Sequence, residues 1–296
     1  MMQTLEALGR KIRTAHDLLG VVKTMKSLAA VSIRQYERAV ESLEAYRRVI
    51  DAGWRVLLRH GVADVRESPL KGAVCMIIAS DQGMCGQFNE AILKHALAQA
   101  PGLAGEGSEL AFWTFGEKLR GALADAGYRD QGHFAAPGSL STIHEKVRAV
   151  IQRIEQWRSE KGTEHFYICH NVVIERGGYR QVCVRLLPLD RTWALAHARE
   201  KWPGRCIPML GLPGNLMFKH LLRQYLFAAL FRAFAQSLAG ENAARLMAMQ
   251  AAEKNILELL DNLQAGFREL RQNSITDELL DIISGFEALN DENPAL

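Results

Sequence analysis

Leu5-Glu-Ala-Leu8-Gly-Arg-Lys-Ile12-Arg-Thr-Ala15-His-Asp-Leu-Leu19-Gly-Val-Val22 opens a run of heptads that lasts to Leu57. Alternating steps of three and four residues continue through Lys26, Ala29, Ile33, Tyr36, Val40, Leu43, Arg47, Ile50, Trp54 and Leu57, and only Lys26 and Arg47 break the apolar stripe. A seam this narrow, with charge on the remaining faces, suits a helix that lies along another helix. At 1.5 Å per residue it predicts a rod of roughly 80 Å. No second heptad helix follows it directly, so its partner must come from far along the chain.

That partner begins near Asn215, which reads as an N-cap, and runs to about Leu289. Its stripe passes through Phe218, Leu221, Tyr225 and Ala228, then Leu246, Met249, Ile256, Leu260, Leu263, Phe267 and Leu270, and after a one-residue slip through Ile275, Leu279, Ile282, Phe286 and Leu289. The second rod outruns the first by about 30 Å, some 22 residues. Ile275, Leu279, Leu280, Ile282, Ile283 and Phe286 fall in that overhang. So much apolar surface on a lone helix implies a sleeve supplied by another protein. Charge agrees with the pairing: residues 1–60 carry eleven Lys/Arg against six acids, whereas residues 241–296 carry four against eleven.

Between the rods the pattern changes to short apolar runs. Ala73–Ser80, Leu110–Phe115, His165–Ile174 and Gln181–Leu187 read as strands. Helices are expected at 88–100, 117–126 and 143–158, the last entered through a capping box from Thr142 to Glu145. The order implies an α/β layer whose sheet is at least partly parallel. The predicted fold is thus an antiparallel two-helix coiled coil made by the terminal segments, with an inserted Rossmann-like α/β domain. Expected boundaries are 1–62, 70–205 and 212–290.

The 296 residues and 48% apolar content suffice for a real core. No uncharged apolar stretch of membrane-spanning length and no secretory h-region is visible, so the chain reads as soluble and unsecreted. Five cysteines, odd in number and without Cys-x-x-Cys, argue against a disulfide frame or a zinc site, and several, set among apolar strand residues, read as small core hydrophobes. The nine histidines show no metal-ligand spacing. No cofactor is implied. A basic arm for nucleic acid is disfavoured by the acidic far helix.

Three segments together resemble the γ subunit family of F-type ATP synthases. They are Lys23-Thr-Met25-Lys26-Ser-Leu-Ala29-Ala30; Ser80-Asp81-Gln-Gly83-Met-Cys85-Gly86-Gln-Phe-Asn89; and Glu241-Asn-Ala-Ala-Arg245-Leu-Met-Ala248-Met249 with Arg271-Gln272-Asn-Ser-Ile275-Thr276-Asp-Glu278-Leu279-Leu-Asp-Ile282-Ile-Ser-Gly285. The sequence departs from the family pattern at Val21-Val22, Ser32, Gln82 and Arg268, which marks a divergent branch. The resemblance implies a non-catalytic rotor shaft that couples ion flow through a membrane ring to nucleotide chemistry in the catalytic head. Its implied partners are the α and β subunits, the ε subunit and the c-subunit ring, with no membrane insertion of its own. Its implied place is the cytoplasmic face of a bacterial plasma membrane. Carried over by residue, Met25 and Lys26 lie where a β-subunit lever presses on the shaft. Arg271, Gln272 and Thr276 match positions that hydrogen-bond a β-subunit loop, and Ile275, Glu278, Ile282 and Phe286 belong to the same contact segment.

Asp81, Gly83 and Gly86 form a glycine-rich turn after a strand, but it lacks both the Gly-Lys-Ser/Thr of a P-loop and the Gly-x-Gly-x-x-Gly of a dinucleotide fold. Tight turning explains it. The competing reading is an α/β enzyme, dimerised through its helical ends, with Cys85 as nucleophile beside His95 or His170.

Overall fold

The computed structural model describes residues 4–61, 72–103, 109–174, 178–202, 204–206 and 208–291, with side chains through Gly285. Two long helices, α1 (Leu5–Arg59) and α6 (Gly214–Asp291), bracket the elements β1 (Gly72–Ile78), α2 (Phe88–Leu103), β2 (Glu109–Phe115), α3 (Glu117–Asp125), β3 (Asp130–Phe134), α4 (Leu140–Lys161), β4 (His165–Val173), β5 (Tyr179–Leu187) and α5 (Arg191–Arg199). They group into two compact units, residues 28–247 and residues 1–27 with 248–296. The division between the units runs through both long helices.

In the larger unit every residue of β1 is buried. A strand apolar on both faces belongs in the middle of a sheet covered on both sides. The observed order is β3-β2-β1-β4-β5, parallel except for the antiparallel β4–β5 edge. Side chains alternate between two layers. One face presents Cys75, Ile77, Phe112 and Cys169 to Ile92 and Ala96 of α2 and to Leu119 and Leu123 of α3. The other presents Val74, Met76, Trp113, Phe115, Phe166 and Ile168 to Val147, Val150 and Ile154 of α4, and also to Leu226, Leu230, Phe234 and Leu238 of α6. The proximal part of α6 is therefore a layer of the α/β core as well as a partner of α1.

Within this unit α1 and α6 run antiparallel. Trp54, fully buried, meets Phe218 edge-on at 5.4 Å, Tyr46 meets Phe227 at 6.4 Å, and Arg232 pairs with Glu44 at 3.4 Å. Partner numbers fall on α1 as they rise on α6. In the smaller unit the same sense holds: a Cβ on Gly9 would touch Phe267, while Ile12, Ala15 and Leu19 cluster with Ile256 and Leu260.

Some elements differ from the sequence expectation. The helix expected at 143 starts at Leu140, one turn earlier, because its N-cap is Ser139, whose backbone N–H donates to Thr142 Oγ1 at 3.3 Å. Thr142 thus closes the capping box from its third helical position, and Glu145 has no part in it. The edge strand β3 and the short α5 have no counterpart in the sequence pattern. Asp-Gln-Gly-His-Phe carries little β signal, and β3 exists because it pairs with β2, its Gly132 lying under Trp113. Helix α6 begins at Gly214, with Asn215 in its first turn accepting the Leu216 N–H at 2.8 Å.

His170 on β4 illustrates the cost of the covered sheet. Its ring Nε2 donates to Gln236 Oε1 at 3.0 Å, and burial pushes its pKa down to about 4. The neutral ring is what folding favours, so stability is fully present above the unfolded value near 6.5 and is lost as pH falls from there to about 4. We expect wild type to lose roughly 3 kcal/mol more across that window than His170→Gln. Urea unfolding of both chains at a series of pH values measures it; equal pH slopes would contradict it.

Candidate functional site

The turn after β1 is built by hydrogen bonds rather than by glycine alone. Ser80 N–H donates to Asn89 Oδ1 at 3.0 Å, Asn89 Nδ2 donates back to Ser80 Oγ at 2.9 Å, and Ser80 Oγ donates to Gln82 O at 2.7 Å. Asp81 reaches across to α3, accepting the Glu117 N–H at 3.0 Å and the Ala136 N–H at 3.4 Å. The carboxylate therefore caps the first turn of α3. Gly86 takes a left-handed φ of 57°, and so does Met84, with φ 63°, while Gly83 has neither a positive φ nor a close neighbour. Gly83 thus has no steric role here.

Cys85 is buried in this turn with Ser80 at 3.5 Å, Gln82 at 3.8 Å and Asn89 at 3.9 Å, and packs on Phe88, Tyr179 and Ala244. Among the described residues its hydrogen-bond partners include neither His95 nor His170. A thiol enclosed this way, without a base, cannot serve as an exposed nucleophile.

Ala244 belongs to the segment from Glu241 to Met249, so two stretches singled out in the sequence meet in space. Small residues allow the approach: a Cβ on Gly240 would stand 3.2 Å from Asn171 and 3.5 Å from Phe88. Around it Glu241 pairs with Arg245 at 2.6 Å, Arg245 also donates to Asn242 Oδ1 at 3.1 Å, and Asn242 Nδ2 donates to Leu238 O at 2.8 Å. Burial raises the Glu241 pKa although Arg245 opposes it, and the Tyr36 hydroxyl is raised by burial and then by Glu241. This is a desolvated ion pair facing α1, next to the turn.

The remaining sequence-predicted residues lie in the smaller unit. Lys26, at its seam position, forms an ion pair with Glu253 of α6, and Met25 beside it is half-buried. Arg271, Gln272, Ile275, Thr276, Glu278 and Ile282 are all exposed, and Thr276 Oγ1 donates to the Gln272 carbonyl at 2.9 Å within the helix. Phe286 is on α6 but lies beyond the described side chains. With Gly9 level with Phe267, α1 starts about one turn further on, near Arg271. Helix α6 continues to Asp291. Along this overhang Leu279, Leu280 and Ile283 are also more than half exposed, and Ile282 reaches 68%.

A family model described as ATP synthase matches residues 4–289. The chain belongs to the ATP synthase gamma chain family. It is similar to the ATP synthase gamma chain of Pelotomaculum thermopropionicum, 26% identical over 298 residues covering 97% of this chain and 100% of that one. The gamma chain of Desulforamulus reducens is 28% identical over 296 residues, covering 97% and 100%. Among solved structures, a chain of the Euglena gracilis mitochondrial ATP synthase, OSCP/F1/c-ring in rotational state 3, aligns with a TM-score of 0.68 at 16% identity over 99% of this chain and 97% of that one. A chain of the Tetrahymena thermophila central stalk/c-ring aligns with a TM-score of 0.56 at 17% identity over 78% and 99%. These two share the fold. As a gamma chain the protein is a non-catalytic subunit, which replaces the Cys85 enzyme reading.

Glu241 and Arg245 give a test of what holds this junction. Arg245→Ala leaves a carboxylate in an apolar layer and is expected to cost about 3 kcal/mol at neutral pH. Because the orphaned Glu241 is held neutral more readily than in water, the loss should shrink as pH falls toward the carboxylate range. Denaturant unfolding of variant and wild type at two pH values checks both points.

Proposed function

We propose that this gamma chain is the central-stalk rotor of an F-type ATP synthase, coupling ion flow through the membrane ring to ATP synthesis or hydrolysis in the catalytic head by rotation. The observation that carries the reading is the distal part of α6, helical to Asp291 yet without a described partner past about Arg271, with Ile275, Leu279, Leu280, Ile282 and Ile283 in solvent. An apolar helix end of this kind is stable only inside a collar. A ring of α and β subunits supplies one, and a single off-centre shaft in a threefold ring holds chemically identical sites in different states through unequal contacts.

In this reading Met25 and Lys26 receive the push of a β-subunit lever. The ion pair of Lys26 with Glu253 ties that contact point to the opposite helix, so force on one helix loads both. Arg271, Gln272 and Thr276 present polar groups, and Ile275, Glu278, Ile282 and Phe286 complete the surface that the head grips. The α/β unit faces the ε subunit and the c ring. The rotor sits as a peripheral subunit on the cytoplasmic face of a bacterial plasma membrane, as the resemblance implies, and no described helix is long and apolar enough to cross a membrane. Asp81 and Gly86 are structural, serving the turn and the capping of α3.

Removal of residues 272–296 from the chain, assembled with its own α, β and ε subunits in inverted membrane vesicles, tests this. We expect ATP-driven ion pumping to fall well below wild type relative to hydrolysis, while the thermal transition of the isolated chain's α/β unit stays where it was. Full pumping by the truncated rotor, or collapse of the α/β unit, would sink the collar reading.

A further inference from the structure

Three thiols from three neighbouring strands meet on the α2/α3 face of the sheet. Cys75 of β1, Cys169 of β4 and Cys183 of β5 bring their sulfurs within 4.8 Å of one another, and Cys75 and Cys169 stand 3.6 Å apart. Register explains the convergence. Cys169 and Cys183 are directly opposed across the antiparallel pair, and Cys75 is level with Tyr167, two residues before Cys169 and on the same face. Cys75 and Cys169 are fully buried, whereas Cys183 is half-buried on the edge strand, which leaves a way in from solvent.

The electrostatics of the group are uneven. Hydrogen bonds from Cys169 and then Cys75 lower the Cys183 pKa against the opposing effect of burial. Cys169, bonded to Cys183 and Cys75 and buried, is raised. A zinc–thiolate bond is about 2.3 Å, which sets sulfur–sulfur separations in a tetrahedral site near 3.8 Å. The three sulfurs need little movement to meet that spacing.

We propose that Cys75, Cys169 and Cys183 form a binding site for one thiophilic d10 cation of the zinc class, entered from the β5 edge. Each sulfur–metal bond formed releases one thiol proton to solvent. A water fills the fourth position, entering from the β5 edge. The metal would tie β1, β4 and β5 together on the face opposite α6, and the site is independent of the stalk assignment.

The full chain, reduced with a phosphine and freed of metal by a chelator, is titrated with Co2+ and then Zn2+. One equivalent of Co2+ should give a thiolate-to-cobalt charge-transfer band with the d–d intensity of a tetrahedral ion, and Zn2+ should displace it. Cys183→Ser should weaken Zn2+ binding by more than the ~10–100-fold that losing an outer-shell partner costs, and Cys206→Ser, at an exposed site, should leave it unchanged. Cys169→Ala serves where Cys183→Ser does not fold. Absence of the band in the reduced wild type, or its survival in both cluster variants, overturns the proposal.

Discussion

The larger unit depends on one constraint, the two-sided burial of β1. Because Gly72–Ile78 is apolar throughout, water must be excluded from both faces, and a single layer of crossover helices cannot do it. Helices α2 and α3 take one side. On the other side α4 covers only part, and the chain completes the layer with Leu226, Leu230, Phe234 and Leu238 of α6. Burying such side chains contributes about 1.5–3 kcal/mol each, more than any surface ion pair in the molecule. The C-terminal helix is thereby fixed to the sheet by the same interaction that makes the sheet stable.

Once α6 is fixed, α1 has a defined place. Its later half finds Phe218, Leu221 and Ala228 through Ile50, Trp54 and Leu57. The conflict between a close helix approach and a turn at the end of β1 is resolved by small residues, Gly240 and Ala244, packed over Phe88 and Cys85. At that junction Arg245 serves Glu241 and Asn242 together, and Asn89 serves Ser80. A buried pair of this sort adds little net stability but penalises every arrangement that separates its partners.

The described residues of the smaller unit are all helical or terminal, and the unit is held by a narrow seam of Ile12, Ala15, Leu19, Ile256 and Leu260 with the Lys26–Glu253 pair. Its sequence asks for more burial than its own helices provide, since Ile275, Leu279 and Ile282 continue the apolar stripe into solvent. A gamma chain with this property is incomplete alone, and its proposed function turns on that incompleteness.

Periodicity by itself determined the two long helices, the overhang and the alternation of strands and helices between them, because side-chain period and length are local quantities that no partner alters. The tertiary structure alone decided what those elements do. β3 carries no local signal and exists by pairing, Ser139 rather than Thr142 caps α4 because the helix gains a further turn, and Met84 rather than Gly83 takes the left-handed bend. The exposed residues from Arg271 to Ile282 were legible as a surface, since an apolar stripe without a counterpart can be read from spacing. The meeting of Cys75, Cys169 and Cys183 was not, because it depends on strand order and register, and pairing across about a hundred residues of chain leaves no trace in the spacing of the cysteines.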